Sequence, residues 1–370
     1  MKYYIIAGEA SGDLHGSNLM SSIRKLDTNA VFRCWGGDRM QAAGGELVKH
    51  YRELAFMGFA EVLMNLRTIF RNLHFCKEDI LSNIPDVLIL IDYPGFNLRI
   101  AEWAKKRNIK IVYYISPQVW AWKSGRVKMM KQCIDKMLVI LPFEKDYFKN
   151  EWNWDVEYVG HPLIEELENR KLLDEKISLS DKPVVALLPG SRKQEILKKL
   201  PVMLEVAKSF LNYQFVVAKA PGVEENFYDE MLKPYPNVSY VANRTYELLG
   251  QSVAALVTSG TATLETALLN VPQVVCYKGS AISYQIGKRL VKVKFISLVN
   301  IIMDKPVVTE LIQNDLTVEN LKRELDSILH HPEKRSKVIA EYANLKAKLS
   351  SNGNASAQAA NSILKFLQYQ

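Results

Sequence analysis

Asp92 is a residue of this chain that could accept a proton. It follows Val87–Ile91, an unbroken aliphatic run, and opens the segment Asp92-Tyr93-Pro94-Gly95-Phe96-Asn97. A continuous apolar run reads as a strand buried on both faces. In α/β folds ligands bind at the carboxyl ends of such strands, so a carboxylate there is a candidate general base. The same residues also suit an Asp-x-Pro turn with Asp92 as a cap, and spacing alone leaves that reading open.

Four other segments have types and spacing suited to holding a polar or anionic group. The first strand runs into Gly8-Glu9-Ala10-Ser11-Gly12-Asp13 and then His15-Gly16. A glycine-rich turn that opens a helix leaves backbone N–H groups to hold an anion. The segment is not GxGxxG, so dinucleotide binding is not indicated; a tight turn capped by Ser11 or Asp13 is the simpler alternative. Ser116-Pro117-Gln118-Val119-Trp120-Ala121-Trp122 offers aromatic faces for a pyranose ring and an amide for its hydroxyls, or equally a loop pinned to the core by its tryptophans.

Leu188-Pro189-Gly190-Ser191-Arg192 precedes a helical pattern. A guanidinium beside a helix N-terminus suits a diphosphate, through bidentate contacts and the macrodipole. Thr258-Ser259-Gly260-Thr261-Ala262-Thr263-Leu264-Glu265 repeats the arrangement, with hydroxyls beside the N–H groups. Glu265, about a turn further on, suits the hydroxyls of a ribose. The chain contains no Asp-x-Asp, the usual means of holding a nucleotide sugar through a divalent metal. Leaving-group charge would then fall to Arg192 and the helix start, and neither a metal nor a cofactor is expected.

The elements that must position these residues alternate. Tyr3–Ala7, Val87–Ile91, Lys110–Ile115 and Lys136–Leu141 read as strands, Ser17–Leu26 and Arg99–Arg107 as helices. Gly160-His161-Pro162 marks a break, followed by the charged stretch Glu165–Lys182. The pattern then restarts with strands at Val184–Leu188, Tyr213–Ala218, Val238–Val241 and Val253–Thr258 and helices at Lys193–Leu211 and Thr263–Leu269. Strand–helix alternation predicts parallel sheets, and two consecutive sets predict two Rossmann-like α/β domains with a cleft between them. The expected boundaries are 1–165, 166–345 and a helical 346–370 that packs back on the N-terminal domain or on a partner.

A length of 370 residues suits two domains, and a 48% hydrophobic fraction suffices for two cores. Four dispersed cysteines, with no CxxC, argue for a reducing compartment and against a disulfide framework or zinc site. The longest aliphatic runs are too short to span a bilayer. A net charge of +8 suits an anionic surface or a phosphorylated substrate. The basic residues are dispersed and form no nucleic-acid motif, so no nucleic-acid partner is expected. Two segments suit a membrane surface. In Met57–Phe75, Phe59, Val62, Leu63, Leu66, Ile69, Phe70 and Leu73 recur at helical spacing beside Arg67 and Arg71. Lys278–Phe295 carries Lys278, Lys288, Arg289, Lys292 and Lys294 without an acid. Periodicity alone favours a core helix and a solvated basic face.

The order of these motifs resembles the lipid-A-disaccharide synthase family over nearly the whole chain. The resemblance is carried by Gly8–Asp13, Gly36-Gly37 with Met40, Met57-Gly58 with Glu61-Val62, Ile91–Asn97, Ser116–Trp122, Gly160–Pro162, Leu188–Arg192, Ser259–Glu265, and Asn300 with Glu310 and Gln313. It implies a GT-B fold, two Rossmann-like domains facing each other across a cleft. It also implies transfer of 2,3-diacylglucosamine from UDP-2,3-diacylglucosamine to 2,3-diacylglucosamine 1-phosphate, on the cytoplasmic face of the inner membrane of a Gram-negative bacterium. Asp92 would be the catalytic base. Arg192, Ser259, Gly260, Thr261, Thr263, Glu265, Asn300, Glu310 and Gln313 would bind the UDP-sugar. Gly8, Glu9, Ser11, Gly12, Asp13, His15, Asn97, Gln118 and Trp120 would shape the acceptor side. Acylated substrates raise the membrane-facing reading of Met57–Phe75; a homo-oligomer is left open. Two departures stand out: Val299 where the family has Pro in Leu-Pro-Asn, and Thr309 where it has Pro before the glutamate.

Overall fold

A computed structural model describes residues 1–54, 66–170, 178–280 and 293–368. The chain divides into two compact units, Met1–Glu165 with Leu349–Gln370, and Glu166–Lys348.

The first unit holds seven parallel strands: β1 (Lys2–Ala7), β2 (Val31–Gly36), β3 (Glu46–His50), β4 (Val87–Ile91), β5 (Ile111–Tyr114), β6 (Lys136–Val139) and β7 (Glu157–Tyr158). Their spatial order is β3-β2-β1-β4-β5-β6-β7. Successive side chains of a strand point to opposite faces, and β1 feeds two cores accordingly. Tyr4 and Ile6 pack with Leu73, Cys76 and Ile80 of the Leu66–Asn83 helix. Tyr3, Ile5 and Ala7 pack with Leu19 and Met20 of the Ala10–Leu26 helix and with Ala359 and Ile363 of the terminal Ala355–Gln368 helix. Full burial of such a side chain is worth about 1.5–3 kcal/mol, so a strand buried on both faces must be apolar throughout, as β1 and β4 are.

The terminal segment is tied into this unit by polar contacts as well. Tyr158 Oη donates to the Leu349 carbonyl at 3.2 Å, and Ser362 Oγ to Glu157 at 2.6 Å. At the Gly-His-Pro break, Gly160 has φ +90°, and a Cβ there would stand 3.2 Å from the Gly353 carbonyl oxygen.

The second unit holds six parallel strands: β8 (Val184–Leu188), β9 (Gln214–Lys219), β10 (Val238–Ala242), β11 (Ser252–Thr258), β12 (Gln273–Tyr277) and β13 (Thr309–Ile312), in the order β10-β9-β8-β11-β12-β13. Val185, Leu187, Phe215, Val217 and Leu256 face one core, and Val184, Ala186, Val216, Ala255 and Val257 the other. Both sheets grow outward from their first strand and reverse direction next to it. That reversal is the topological switch point at which such sheets bind ligands. It falls between β1 and β4 in the first unit and between β8 and β11 in the second.

The first helix begins at Ala10 rather than at the predicted Ser17. Two helical glycines conceal the start. A Cβ on Gly12 would stand 3.0 Å from that of Ala7, and one on Gly16 2.6 Å from Met40 Sδ. Close packing selects glycine at these positions, so they signal contact rather than a turn. Strands β2, β3, β7, β12 and β13 are not among the expected ones; β2, β3 and β13 carry polar or charged residues, Arg33, Glu46, Lys49 and Glu310, that break the continuous apolar run by which the other strands are recognised.

Of the two membrane segments, Phe59, Val62 and Leu63, and Lys288, Arg289, Leu290, Val291 and Lys292, lie outside the described residues. Within the Leu66–Asn83 helix, Leu73 is buried while Arg67, Phe70, Arg71 and Phe75 are exposed. No described helix is long and apolar enough to cross a membrane.

Candidate active site

At the first switch point β1 ends at Ala7 and β4 at Ile91, with Ala7 and Ile91 in register. Asp92 and Tyr93 follow with φ of +44° and +46°. Non-glycine residues reach this region at about 1–3 kcal/mol each, so neighbours must hold them there. Asn97, wholly buried, does much of it: its Nδ2 donates to the carbonyls of Ile6, Ile91 and Asp92 at 3.4, 3.2 and 2.8 Å. Tyr113 Oη donates to the Asp92 carbonyl at 2.5 Å. The Tyr93 ring lies over Gly8, where a Cβ would come within 2.3 Å of it. Gly8 is therefore required by the ring that fixes the Asp92 turn.

The Asp92 carboxyl is pushed up to about 6, first by burial and then by the Glu9 carboxylate, against a backbone N–H from Tyr93. A carboxylate that titrates there is a far better base near neutrality than an ordinary aspartate.

Other residues expected on the acceptor side have structural duties. Asp13 is buried, and its carboxylate accepts from the backbone N–H groups of Gly37, Arg39 and Met40 at 2.7, 3.1 and 3.0 Å. It caps the Asp38–Ala42 helix instead of facing a ligand, because three N–H donors hold a buried carboxylate better than solvent would. The Asn97 Nδ2 is likewise spent on carbonyls, while its Oδ1 is buried without a partner among the described residues. Trp120 is buried, stacks edge-on against Phe143, and donates from Nε1 to Glu144 at 3.2 Å. Its place is the core reading of that loop, while Gln118 and Trp122 are exposed. Glu9 and Ser11 are exposed, and Gly12 is buried against Ala7. His15 is half-buried near His161, whose pKa is lowered to about 3 by burial and then by His15. His161 Nδ1 accepts from the Leu163 N–H, capping the Pro162–Arg170 helix.

Glu144 was not anticipated. It is buried, accepts from Trp120 and the Leu141 N–H, and is pushed up to about 8, chiefly by burial. The Leu141-Pro142-Phe143-Glu144 pattern, a proline and an N3 glutamate opening a helix, is a readable capping signal.

At the second switch point, Gly190 (φ +128°) and Gly260 (φ +130°) turn the chain after β8 and β11. No other residue type reaches these angles without strain. Arg192 is the N-cap of the Lys193–Ala207 helix, with its side chain 65% exposed and Nη1 3.8 Å from Glu195. Ser259 and Thr261 flank Gly260 at the start of the Thr261–Leu268 helix. Thr263 is buried, and its hydroxyl donates back to the Gly260 carbonyl at 2.8 Å, closing the first turn. Glu265 accepts from Tyr246 Oη at 2.8 Å. Below them Lys199, also unanticipated, is 4% exposed and donates to Thr258 Oγ1.

Asn300, Glu310 and Gln313 lock the chain that leads into and out of β13. Asn300 Oδ1 accepts from Val307 and Val308 N–H, and its Nδ2 donates to Glu310 at 2.9 Å. Glu310 further accepts from the N–H groups of Ile296 and Ser297 at 3.0 and 2.9 Å. Gln313 Oε1 accepts from the Gly279 N–H at 3.2 Å. These contacts hold loops, while Gln313 Nε2 is buried without a hydrogen-bond partner among the described residues and Asn300 and Glu310 also line a cavity. The departures are accommodated: Val299 is fully buried, and Thr309 Oγ1 donates to Glu324 at 3.1 Å.

The family model described as Lipid-A-disaccharide synthetase matches residues 3–364. Proteins named lipid-A-disaccharide synthase are similar end to end. That of Syntrophus aciditrophicus is 41% identical over 361 residues, 95% of this chain and 94% of that one. That of Geobacter sulfurreducens is 38% identical over 375 residues, covering 99% and 97%. Solved structures share the fold at low identity. The UDP-GlcNAc 2-epimerase of Neisseria meningitidis has a TM-score of 0.68 at 13% identity, covering 99% of this chain and all of that one. The calicheamicin glycosyltransferase CalG4 has 0.62 at 17%, covering 100% and 98%. Two parallel-sheet Rossmann-like units with a helical C-terminus are thus the GT-B type of fold expected from the sequence.

Proposed function

This chain belongs to the lipid-A-disaccharide synthetase family, and from that premise we propose how its residues carry out the reaction. It is a UDP-sugar-dependent glycosyltransferase of lipid A biosynthesis. The donor is UDP-2,3-diacylglucosamine and the acceptor 2,3-diacylglucosamine 1-phosphate. The acceptor 6-hydroxyl attacks the anomeric carbon from the face opposite UDP, and Asp92 takes its proton. The bond from the anomeric carbon to the diphosphate oxygen breaks, and its electron pair leaves with UDP. A single displacement inverts the centre and gives the β-1′,6 linkage. Arg192 and the N–H groups and hydroxyls at Ser259–Thr263 meet the charge that grows on the diphosphate, which makes the reaction independent of a divalent metal. Glu265 meets the ribose, exchanging its Tyr246 contact for the ligand. Glu9, Ser11, His15 and Gln118 face the acceptor sugar, while Gly8, Gly12, Asp13, Asn97 and Trp120 shape the walls on which they stand.

The observation that carries this reading is the Asp92 turn, a half-buried carboxyl at the carboxyl end of β4, beside the switch point and tuned to about 6. Acylated substrates place the work at the cytoplasmic face of the inner membrane. Exposed Phe70 and Phe75 beside Arg67 and Arg71 support a peripheral contact there.

The test is a product assay with both substrates in detergent and EDTA, read by mass spectrometry. The tetraacyl disaccharide 1-phosphate is expected. Product only after magnesium is restored would overturn the metal-free step; no product under either condition would overturn the substrate pair.

A further inference from the structure

Lys199 has no assigned role, and its surroundings are unusual for a lysine. It lies on the inward face of the Lys193–Ala207 helix, next to buried Ile196 and Leu200, and is itself 4% exposed. Lysine is almost never so buried unless paired. Among the described residues its Nζ donates one hydrogen bond, to Thr258 Oγ1, and its nearest carboxylate oxygen, Glu195 Oε2, is 4.0 Å away. An ammonium carries three donors, so this one is short of partners. Burial lowers its pKa for the same reason.

The ammonium lines a cavity of about 190 Å³, with Glu195, Thr258, Ser259, Tyr277 and Gly279 among its other walls. Lys198 and Lys278, both exposed, also border it, so three lysines and one glutamate line the cavity. The cavity sits at the carboxyl ends of β11 and β12, beside the second switch point. Its volume is below the roughly 300–1,000 Å³ of whole small-molecule sites and suits one compact anionic group.

We infer that Lys199 is a further donor-binding residue, a buried ammonium that takes an oxygen of the UDP diphosphate, and that Glu195 holds the place of that anion before the donor arrives. Glu195 spans the two cations, with Oε1 3.8 Å from Arg192 and Oε2 4.0 Å from Lys199. Both contacts are long, so little is lost when a diphosphate replaces them. Gly190 allows this arrangement, since a Cβ there would stand 2.8 Å from Glu195 Oε2. The inference rests on the UDP-sugar reading above.

The test is calorimetric binding of UDP and of uridine to the full chain and its variants. Lys199→Met keeps the length of the side chain and removes the charge. It should weaken UDP about 10- to 100-fold, the range for loss of a charged hydrogen bond, and leave uridine unchanged. Glu195→Gln should tighten UDP by removing the competing anion. With rising alkaline pH, wild type should lose UDP affinity earlier than Lys199→Arg, whose guanidinium does not titrate; this comparison decides even where Lys199→Met fails to fold. Unchanged UDP affinity in folded Lys199→Met, an equal loss for UDP and uridine, or matching pH profiles would overturn the inference alone. A wild type that binds no UDP would overturn the functional reading with it.

Discussion

The two switch points have the same topology and opposite chemistry. At β1/β4 the chain is forced into two consecutive left-handed residues, Asp92 and Tyr93, and held there by buried donors from Asn97 and Tyr113. At β8/β11 the turns are made by Gly190 and Gly260, whose angles need no such support. The first site is rigid and built around a carboxyl; the second is relaxed and lined by Arg192, Lys199 and helix N–H groups. A general base must be fixed in direction and tuned in pKa, which demands a locked and partly desolvated carboxyl. An anion cradle needs donors and cations at approximate positions, and backbone that a ligand can approach.

Exchanging Asp92 for Asn should break the first site without touching the second. Loss of a general base costs about 10²–10⁴-fold in turnover. The change Asp92→Asn should lower kcat by that much and leave UDP affinity, by calorimetry, at the wild-type value. A parallel loss of UDP binding would show that the two sites are not chemically separate. Arg192→Ala is the mirror experiment, expected to cost about 10²–10³-fold in kcat/KM, as for removal of one transition-state donor, together with UDP affinity. Because that side chain is 65% exposed, its melting temperature should stay within the scatter of ordinary surface substitutions.

The same contrast explains what could be read in advance. Asp92 was legible because it interrupts a wholly apolar strand, and Arg192 and Gly260 because glycine beside a helix start is a local signal. Both folds were legible for the same reason: strands buried on two faces must be apolar throughout. The structural duties of Asp13 and Trp120 were not, since their partners are distant. Asp13 finds its donors at Gly37, Arg39 and Met40, and Trp120, in a loop, finds Glu144 on the Pro142–Trp152 helix. No spacing rule relates such pairs. The loop that Asn300 and Glu310 close was likewise hidden, because its partners lie eight to ten residues away with no periodic pattern between them. Lys199 was a missed signal of a different kind. It stands three residues after Ile196 and one before Leu200, on the face that helical periodicity assigns to the core, where a cation needs a reason.

Asn97→Leu sharpens the comparison by loosening the first site without changing its chemistry. The substitution fills similar volume but leaves the carbonyls of Ile6, Ile91 and Asp92 without that donor. An unsatisfied buried group costs about 1–3 kcal/mol, so urea denaturation should show a loss of at least that size. kcat should fall while UDP affinity holds. Stability lost with kcat intact would mean that the Asp92 turn is kept by Tyr113 and Tyr93 alone.

The smallest expected effect concerns the tuning of Asp92. The base acts ionised, so kcat/KM should fall with decreasing pH through an apparent pKa of about 6. Burial accounts for most of that elevation, and the Glu9 carboxylate for a further part. A neighbouring negative charge disfavours ionisation, so Glu9→Gln should move the acid limb to lower pH, whatever the lost acceptor contact does to the height of the plateau. Glu9 is exposed, and water and salt screen its field, so the displacement should shrink as ionic strength rises. A limb that moves upward, or one indifferent to salt, would assign the shift to altered burial of Asp92 rather than to charge. A titration near 6 in UDP binding as well as in turnover would place a carboxyl in the anion cradle and undo the division of labour between the two sites.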